Sequence, residues 1–128
     1  MSPARVMIVD DEPDLIRALG LRLKAAGYEV LAAADGIRAM QMAIRDQPAV
    51  ILLDIGMPGG DGHTIVRRLK ASIRTMTIPI IFLTARKSPE DLSKAKEAGV
   101  AAYLLKPFKP EELLAAIEKA LSEARPAV

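Results

Sequence analysis

The chain has 128 residues with 51% hydrophobic and 27% charged positions and a formal net charge of +2. That is the size of one ordinary globular domain with a real core, and excludes a disordered or fibrous chain. No Cys excludes disulfides, thiol nucleophiles and cysteine metal sites, and 3% aromatic content argues against stacking on bases as a mode of binding.

Arg5-Val6-Met7-Ile8-Val9 is a short apolar run that reads as strand one, ending in Asp10-Asp11-Glu12. Pro13 suits the first turn of a helix, whose stripe is Leu15, Ile16, Leu19, Leu23 and Ala26, with Gly27 as the left-handed stop. Tyr28–Ala33 reads as strand two. Asp35 caps helix two, with Ile37, Met40, Ala43 and Ile44 inward, and Gln47-Pro48 ends it. Ala49-Val50-Ile51-Leu52-Leu53 is an uninterrupted apolar run, as expected of a strand buried on both faces, and Asp54 stands at its end before a Gly/Pro loop, 55–62.

Asp61 is placed to cap helix three, with Ile65, Val66 and Leu69 inward; its Arg67-Arg68-Leu69-Lys70 cluster reads as a solvated face, not a nucleic-acid surface. His63 is expected to lie exposed in the first turn of that helix. Strand four is expected over Thr77–Leu83, with Pro79 near its start and Thr84-Ala85 at its carboxyl end. Ser88-Pro89-Glu90-Asp91 opens helix four, which runs to Gly99. Ala101–Leu105 is strand five, ending in Lys106-Pro107-Phe108. Pro110 opens helix five, with Leu113, Leu114, Ile117 and Leu121 inward. Residues 1–124 form the domain, and 125–128 read as a tail or the start of a truncated linker. The methionines at 7, 40, 42, 57 and 76 read as core or loop filler.

Five strand–helix units in strict alternation predict an α/β fold: a five-stranded parallel sheet in the order 2-1-3-4-5, flavodoxin-like, with helices on both faces. In that order the switch point lies between strands one and three, so Asp10, Asp11 and Asp54 would flank one crevice, with Thr84 and Lys106 along the same rim. Clustered carboxylates need a counter-ion, and a hard cation such as Mg²⁺ suits oxygen donors without His or Cys. Asp54 could then attack an electrophilic phosphorus, while Lys106 supplies a point charge and Thr84 a hydroxyl donor.

Those pieces, in order on their strands, resemble the receiver domain of two-component response regulators. The residues carrying the resemblance are Asp10-Asp11, Asp54 with Met57-Pro58 and Asp61-Gly62, Thr84-Ala85, and Tyr103-Leu104-Leu105-Lys106-Pro107-Phe108. The resemblance implies a cytoplasmic switch in which Asp54 accepts a phosphoryl group from a histidine kinase or a histidine phosphotransfer protein. It implies Mg²⁺ held directly by Asp11, Asp54 and the Gly56 carbonyl, with Asp10 acting mainly through water. It further implies phosphoryl contacts from Thr84, Lys106 and the Ala85 N–H, a cis Lys106-Pro107 peptide, and a Thr84/Tyr103 switch pair that remodels the helix-four, strand-five, helix-five surface for a downstream effector. Ala101-Ala102 replaces the acidic pair that many DNA-binding members use for dimer salt bridges, so that dimer mode is not expected, and at most a weak homodimer is. The chain is either a stand-alone receiver or one cut from a longer regulator at about Arg125.

Three other readings compete. A phosphorylation-independent interaction module would be expected to have lost an acid or the lysine. A phosphatase of the haloacid-dehalogenase type needs a second acid two residues after the nucleophile, where this chain has Gly56. A flavodoxin-like flavin protein would find its cofactor phosphate repelled by the acids of the crevice. No apolar run approaches the ~18 residues of a membrane span, and the amino terminus lacks a signal-peptide core.

Overall fold

The structure, a computed structural model, describes residues 3–55, 62–85 and 89–124. The expected caps Asp61 and Ser88, the Gly56 carbonyl, Met57 and the 125–128 tail lie outside those residues. Ten elements alternate: β1 (Arg5–Val9), α1 (Pro13–Ala25), β2 (Glu29–Ala33), α2 (Gly36–Asp46), β3 (Val50–Asp54), α3 (Gly62–Ala71), β4 (Ile80–Thr84), α4 (Pro89–Ala98), β5 (Ala102–Leu105) and α5 (Pro110–Ala124). The strands form one parallel sheet in the order β2-β1-β3-β4-β5, as the alternation predicts.

The register explains why the apolar runs of β1, β3 and β4 are unbroken. β3 pairs with β1 on one side and β4 on the other, and all five of its residues are buried. Helices cover both faces, so neither side chain direction meets water. On one face Met7, Ile51, Leu53 and Phe82 pack with Ala39, Ala43, Ile65, Val66 and Leu69 of α2 and α3 and with Ala95 of α4. On the other, Ile8, Leu52 and Leu83 pack with Leu19 and Leu23 of α1 and with Leu113 and Ile117 of α5. The edge strand β5 is only half-buried, and its last residue is exposed.

Helix boundaries follow local chemistry. The Asp35 carboxylate accepts the Arg38 N–H at 2.8 Å and caps α2 as expected. Gly27 takes φ +96°, the left-handed stop after α1. Gln47 ends α2 at φ 45°, and its side-chain amide donates to the Ala43 and Ile44 carbonyls at 3.1 Å each. Those bonds offset the strain of a left-handed residue that has a Cβ.

Some sequence expectations are corrected. Strand four begins at Ile80, not Thr77: Ile78 donates to Thr75 O at 3.0 Å in a turn, and Pro79 precedes the strand, its carbonyl accepting the Ile51 N–H at 3.0 Å. Ile37 is 70% exposed, and Ala39 takes its place on the inner face of α2. Ala26 is exposed while Gly20 is buried in α1. His63 is half-buried rather than exposed, its ring edge-on to Phe82.

Candidate active site

The carboxyl ends of β1, β3, β4 and β5 meet on one rim of the sheet. The Asp10 N–H donates to Ala33 O at 3.2 Å, extending the β1–β2 ladder by one residue and fixing Asp10 at the crevice. Its side chain is fully buried, a placement that a carboxylate tolerates only when paired. Two partners serve it: the Glu12 N–H donates to Oδ1 at 2.9 Å, and Lys106 Nζ lies 3.1 Å from Oδ2. Asp54 closes β3 and is 8% exposed, with Lys106 Nζ 3.6 Å from its Oδ2.

Glu12 also belongs to this group. It occupies the N-cap of α1, yet its side chain makes no capping bond. Its Oε1 instead lies 4.0 Å from Lys106 Nζ. One oxygen from each of Asp10, Glu12 and Asp54 falls within 4.8 Å of the other two. Asp11 is exposed and stands outside this set, so the acid that the structure adds to Asp10 and Asp54 is Glu12. In the sequence Glu12 looks like helix-start charge, and the missing capping bond that frees it is visible only in three dimensions.

The charge balance is informative. Among the described residues three carboxylates, Asp10 and Asp54 buried and Glu12 exposed, gather around the Lys106 ammonium, so acids outnumber that cation. Residual repulsion of that kind suits a divalent cation, and the donors are all hard oxygens. The residues present therefore fit Mg²⁺ by number, charge and donor type.

Lys106 is held from its backbone as well as its side chain. Its N–H donates to Thr84 O at 2.7 Å, tying the end of β5 to the end of β4, and the Lys106–Pro107 peptide is cis. Thr84 is 1% exposed, and Ala85 beside it is exposed on the rim. Tyr103 lies further back on β5, directly opposite Phe82 in the ladder, with ring centroids 6.3 Å apart. Thr84 and Phe82 are two residues apart on β4, so Thr84, Phe82 and Tyr103 address the same face of the sheet.

The start of α3 is locked to the end of β3. Gly62 N–H points to Ile55 O at 3.5 Å, and a Cβ at position 62 would sit 2.5 Å from the Ile55 Cα. Only glycine permits this approach. Beside the rim, an apolar groove of about 510 Å³ runs between α1 and α5, lined by Leu15, Leu19 and Leu114 and reaching Ala85, Lys106 and Pro107.

Comparison with known proteins agrees with this geometry. The family model of the response regulator receiver domain matches residues 6–118. The DNA-binding dual master transcriptional regulator RpaA of Synechocystis is 38% identical over 117 residues, covering 91% of this chain and 48% of that protein. The chain thus spans about half the length of that curated relative. A putative response regulator from Chloroflexus aurantiacus superposes with a TM-score of 0.88 at 38% identity, over 94% of this chain and 98% of that one. The receiver domain of a Pseudomonas aeruginosa sensor histidine kinase, solved with a magnesium ion coordinated in its active site cleft, gives 0.85 at 32% identity, over 94% and 98% of the two chains. With a family model across most of its length and the sheet order and acidic rim described above, this chain belongs to the response regulator receiver domains of two-component signalling.

Proposed function

We propose that Asp54 is the phosphoacceptor of a Mg²⁺-dependent phosphoryl switch. The observation that carries this reading is the placement of Asp54: a nearly buried carboxylate at the end of the central strand, 3.6 Å from Lys106 and within one donor cluster with Asp10 and Glu12. A rigid strand end fixes the nucleophile, and the lysine and the acids create the site for charge that builds up in transfer.

The donor is a phosphohistidine on a kinase or a histidine phosphotransfer protein. An Asp54 carboxylate oxygen attacks phosphorus, the P–N bond breaks, and its electron pair returns to the imidazole nitrogen. With the other ring nitrogen already protonated, histidine leaves neutral and no further proton is needed. Asp54 then carries an acyl phosphate, which water later hydrolyses to return the carboxylate. Asp10, Glu12 and Asp54, together with Asp11 and the Gly56 carbonyl that the family resemblance implies, are the residues that would hold Mg²⁺. Bound there, the metal supplies charge neutralisation for the phosphoryl oxygens.

Lys106 exchanges part of its pairing with Asp10 and Asp54 for a phosphoryl oxygen. Thr84 offers its hydroxyl and Ala85 its N–H. Movement of the Thr84 hydroxyl frees space for the Tyr103 ring, and the α4–β5–α5 surface then changes for an effector. The groove beside Lys106 and Pro107 supports a protein donor, because it gives a helix of apolar character somewhere to rest next to the acceptor. The low exposure of the acceptor carboxylate and its pairing favour this switch over the phosphorylation-independent module.

Incubation with acetyl phosphate and Mg²⁺ tests the site. One phosphoryl group per chain is expected by intact mass in the wild type and none in Asp54→Ala. Label that persists in the variant overturns the assignment.

A further inference from the structure

The geometry points to His63 as a positioning residue for Tyr103, acting through the buried ring of Phe82. This inference rests on the reading of Tyr103 as the moving part of the switch, and extends it to a residue on α3.

Three rings lie in a row on one face of the sheet. The His63 imidazole meets Phe82 with centroids 5.4 Å apart and planes at 90°. Phe82 meets Tyr103 at 6.3 Å and 72°. Both contacts are edge-to-face, the arrangement that the quadrupoles of aromatic rings favour. The middle ring is fully buried, whereas the outer two are half-buried. Phe82 therefore has no water-filled space to retreat into, and a displacement imposed by one neighbour is passed to the other. Tyr103, on the edge strand, has such space.

The His63 end is not free to drift. It follows Gly62 directly, and Gly62 packs so closely on Ile55 that a Cβ there would lie 2.5 Å from the Ile55 Cα. Ile55 in turn follows Asp54. The imidazole is thus mounted next to the residue that follows Asp54, while Thr84 stands two residues beyond Phe82 on β4. Through Phe82, Tyr103 is linked to α3 as well as to β4, and only the β4 link is expected from the sequence. The outer side of His63 faces a cleft of about 360 Å³ shared with Arg67 of α3 and Lys94 and Glu97 of α4, so a change in the imidazole is also exposed to the α3–α4 surface.

Removing the imidazole takes away one of the supports of Phe82. The Phe82 ring can then tilt towards α3, which deepens the seat available to Tyr103. The ratio of inward to outward Tyr103 rings then rises, by up to about the tenfold that a whole edge-to-face contact is worth.

The chain has only two tyrosines, which makes the test direct. The full chain is labelled with 3-fluorotyrosine, and Tyr28→Phe assigns the two ¹⁹F resonances. In His63→Ala the Tyr103 resonance is expected to shift while that of Tyr28 stays in place. His63→Phe, which keeps a ring at the position, is expected to restore it. An unmoved Tyr103 resonance in His63→Ala, with Tyr28 and the circular dichroism also unchanged, overturns the inference. So does a Tyr103 shift that His63→Phe fails to reverse. A second arm adds acetyl phosphate and Mg²⁺. If the wild-type Tyr103 resonance ignores phosphorylation, the switch reading fails, whereas the ring-contact result still stands or falls on the unphosphorylated spectra alone.

Discussion

β3 and β5 lie one strand apart in the same sheet and have opposite characters. Every residue of β3 is buried between two neighbours and two helix layers, whereas β5 pairs with β4 alone among the described strands and is half-buried up to an exposed last residue. The central, fully buried strand holds Asp54; the less buried edge strand holds Tyr103, and Lys106 follows at its end. The proposed roles suit that difference: a nucleophile gains from a fixed position, and a readout needs a second position to go to. Lys106 joins the two: its ammonium reaches Asp10 and Asp54, and its N–H reaches Thr84 O.

The contrast can be broken by truncation. Leu53→Ala in β3 empties a fully buried site, and an expected loss of about 2–5 kcal/mol follows from the lost transfer energy and the cavity. Leu104→Ala in β5 removes the same atoms from a half-buried position, and a loss of about 1 kcal/mol is expected. Urea denaturation measures both. Equal losses would show that the edge strand is as tightly packed as the centre.

Removing the bridging cation should cost somewhat less. Lys106→Met leaves the buried Asp10 carboxylate and Asp54 without their ammonium, and a loss of about 1–3 kcal/mol is expected, tempered by the partial exposure of the lysine. Thermal melts with and without MgCl₂ read the second half of the effect: added Mg²⁺ should raise the midpoint of the variant more than that of the wild type. An equal rise in both would separate the metal from the lysine's carboxylates.

Two glycines sharpen the comparison, one beside each strand. Gly62→Ala drives a Cβ into the Ile55 backbone behind β3, at an expected cost of about 1–3 kcal/mol. Gly99, before β5, has φ +76° and open space around it, so Gly99→Ala suffers backbone strain alone, about 1 kcal/mol. A larger loss at Gly99 than at Gly62 would reverse the assignment of fixed and yielding regions.

Much of this was legible in the amino-acid sequence because strands buried on both faces leave unbroken apolar runs, and Gly and Pro punctuate them. The runs ending at Val9, Leu53 and Leu105 located the acidic pair, Asp54 and Lys106. Legibility failed where side-chain direction mattered. Ile37 fits the helical spacing of α2, yet it sits in the first turn beyond the reach of the core, and the smaller Ala39 packs there instead. Thr77-Ile78 looked like strand because β-branched residues favour both strands and tight apolar turns. In the sequence Glu12 is only the last acid of a run at a helix start and His63 reads as an exposed first-turn residue, since neither a missing capping bond nor a ring contact across elements leaves a mark in the local sequence.

Borohydride trapping tests the central claim most directly. Reduction of the acyl phosphate formed with acetyl phosphate and Mg²⁺ converts the modified aspartate to homoserine, which peptide sequencing then locates. The account predicts homoserine at position 54 and intact aspartate at positions 10 and 11. Homoserine at position 10 or 11, or none anywhere in a chain that has gained the phosphoryl mass, would contradict it.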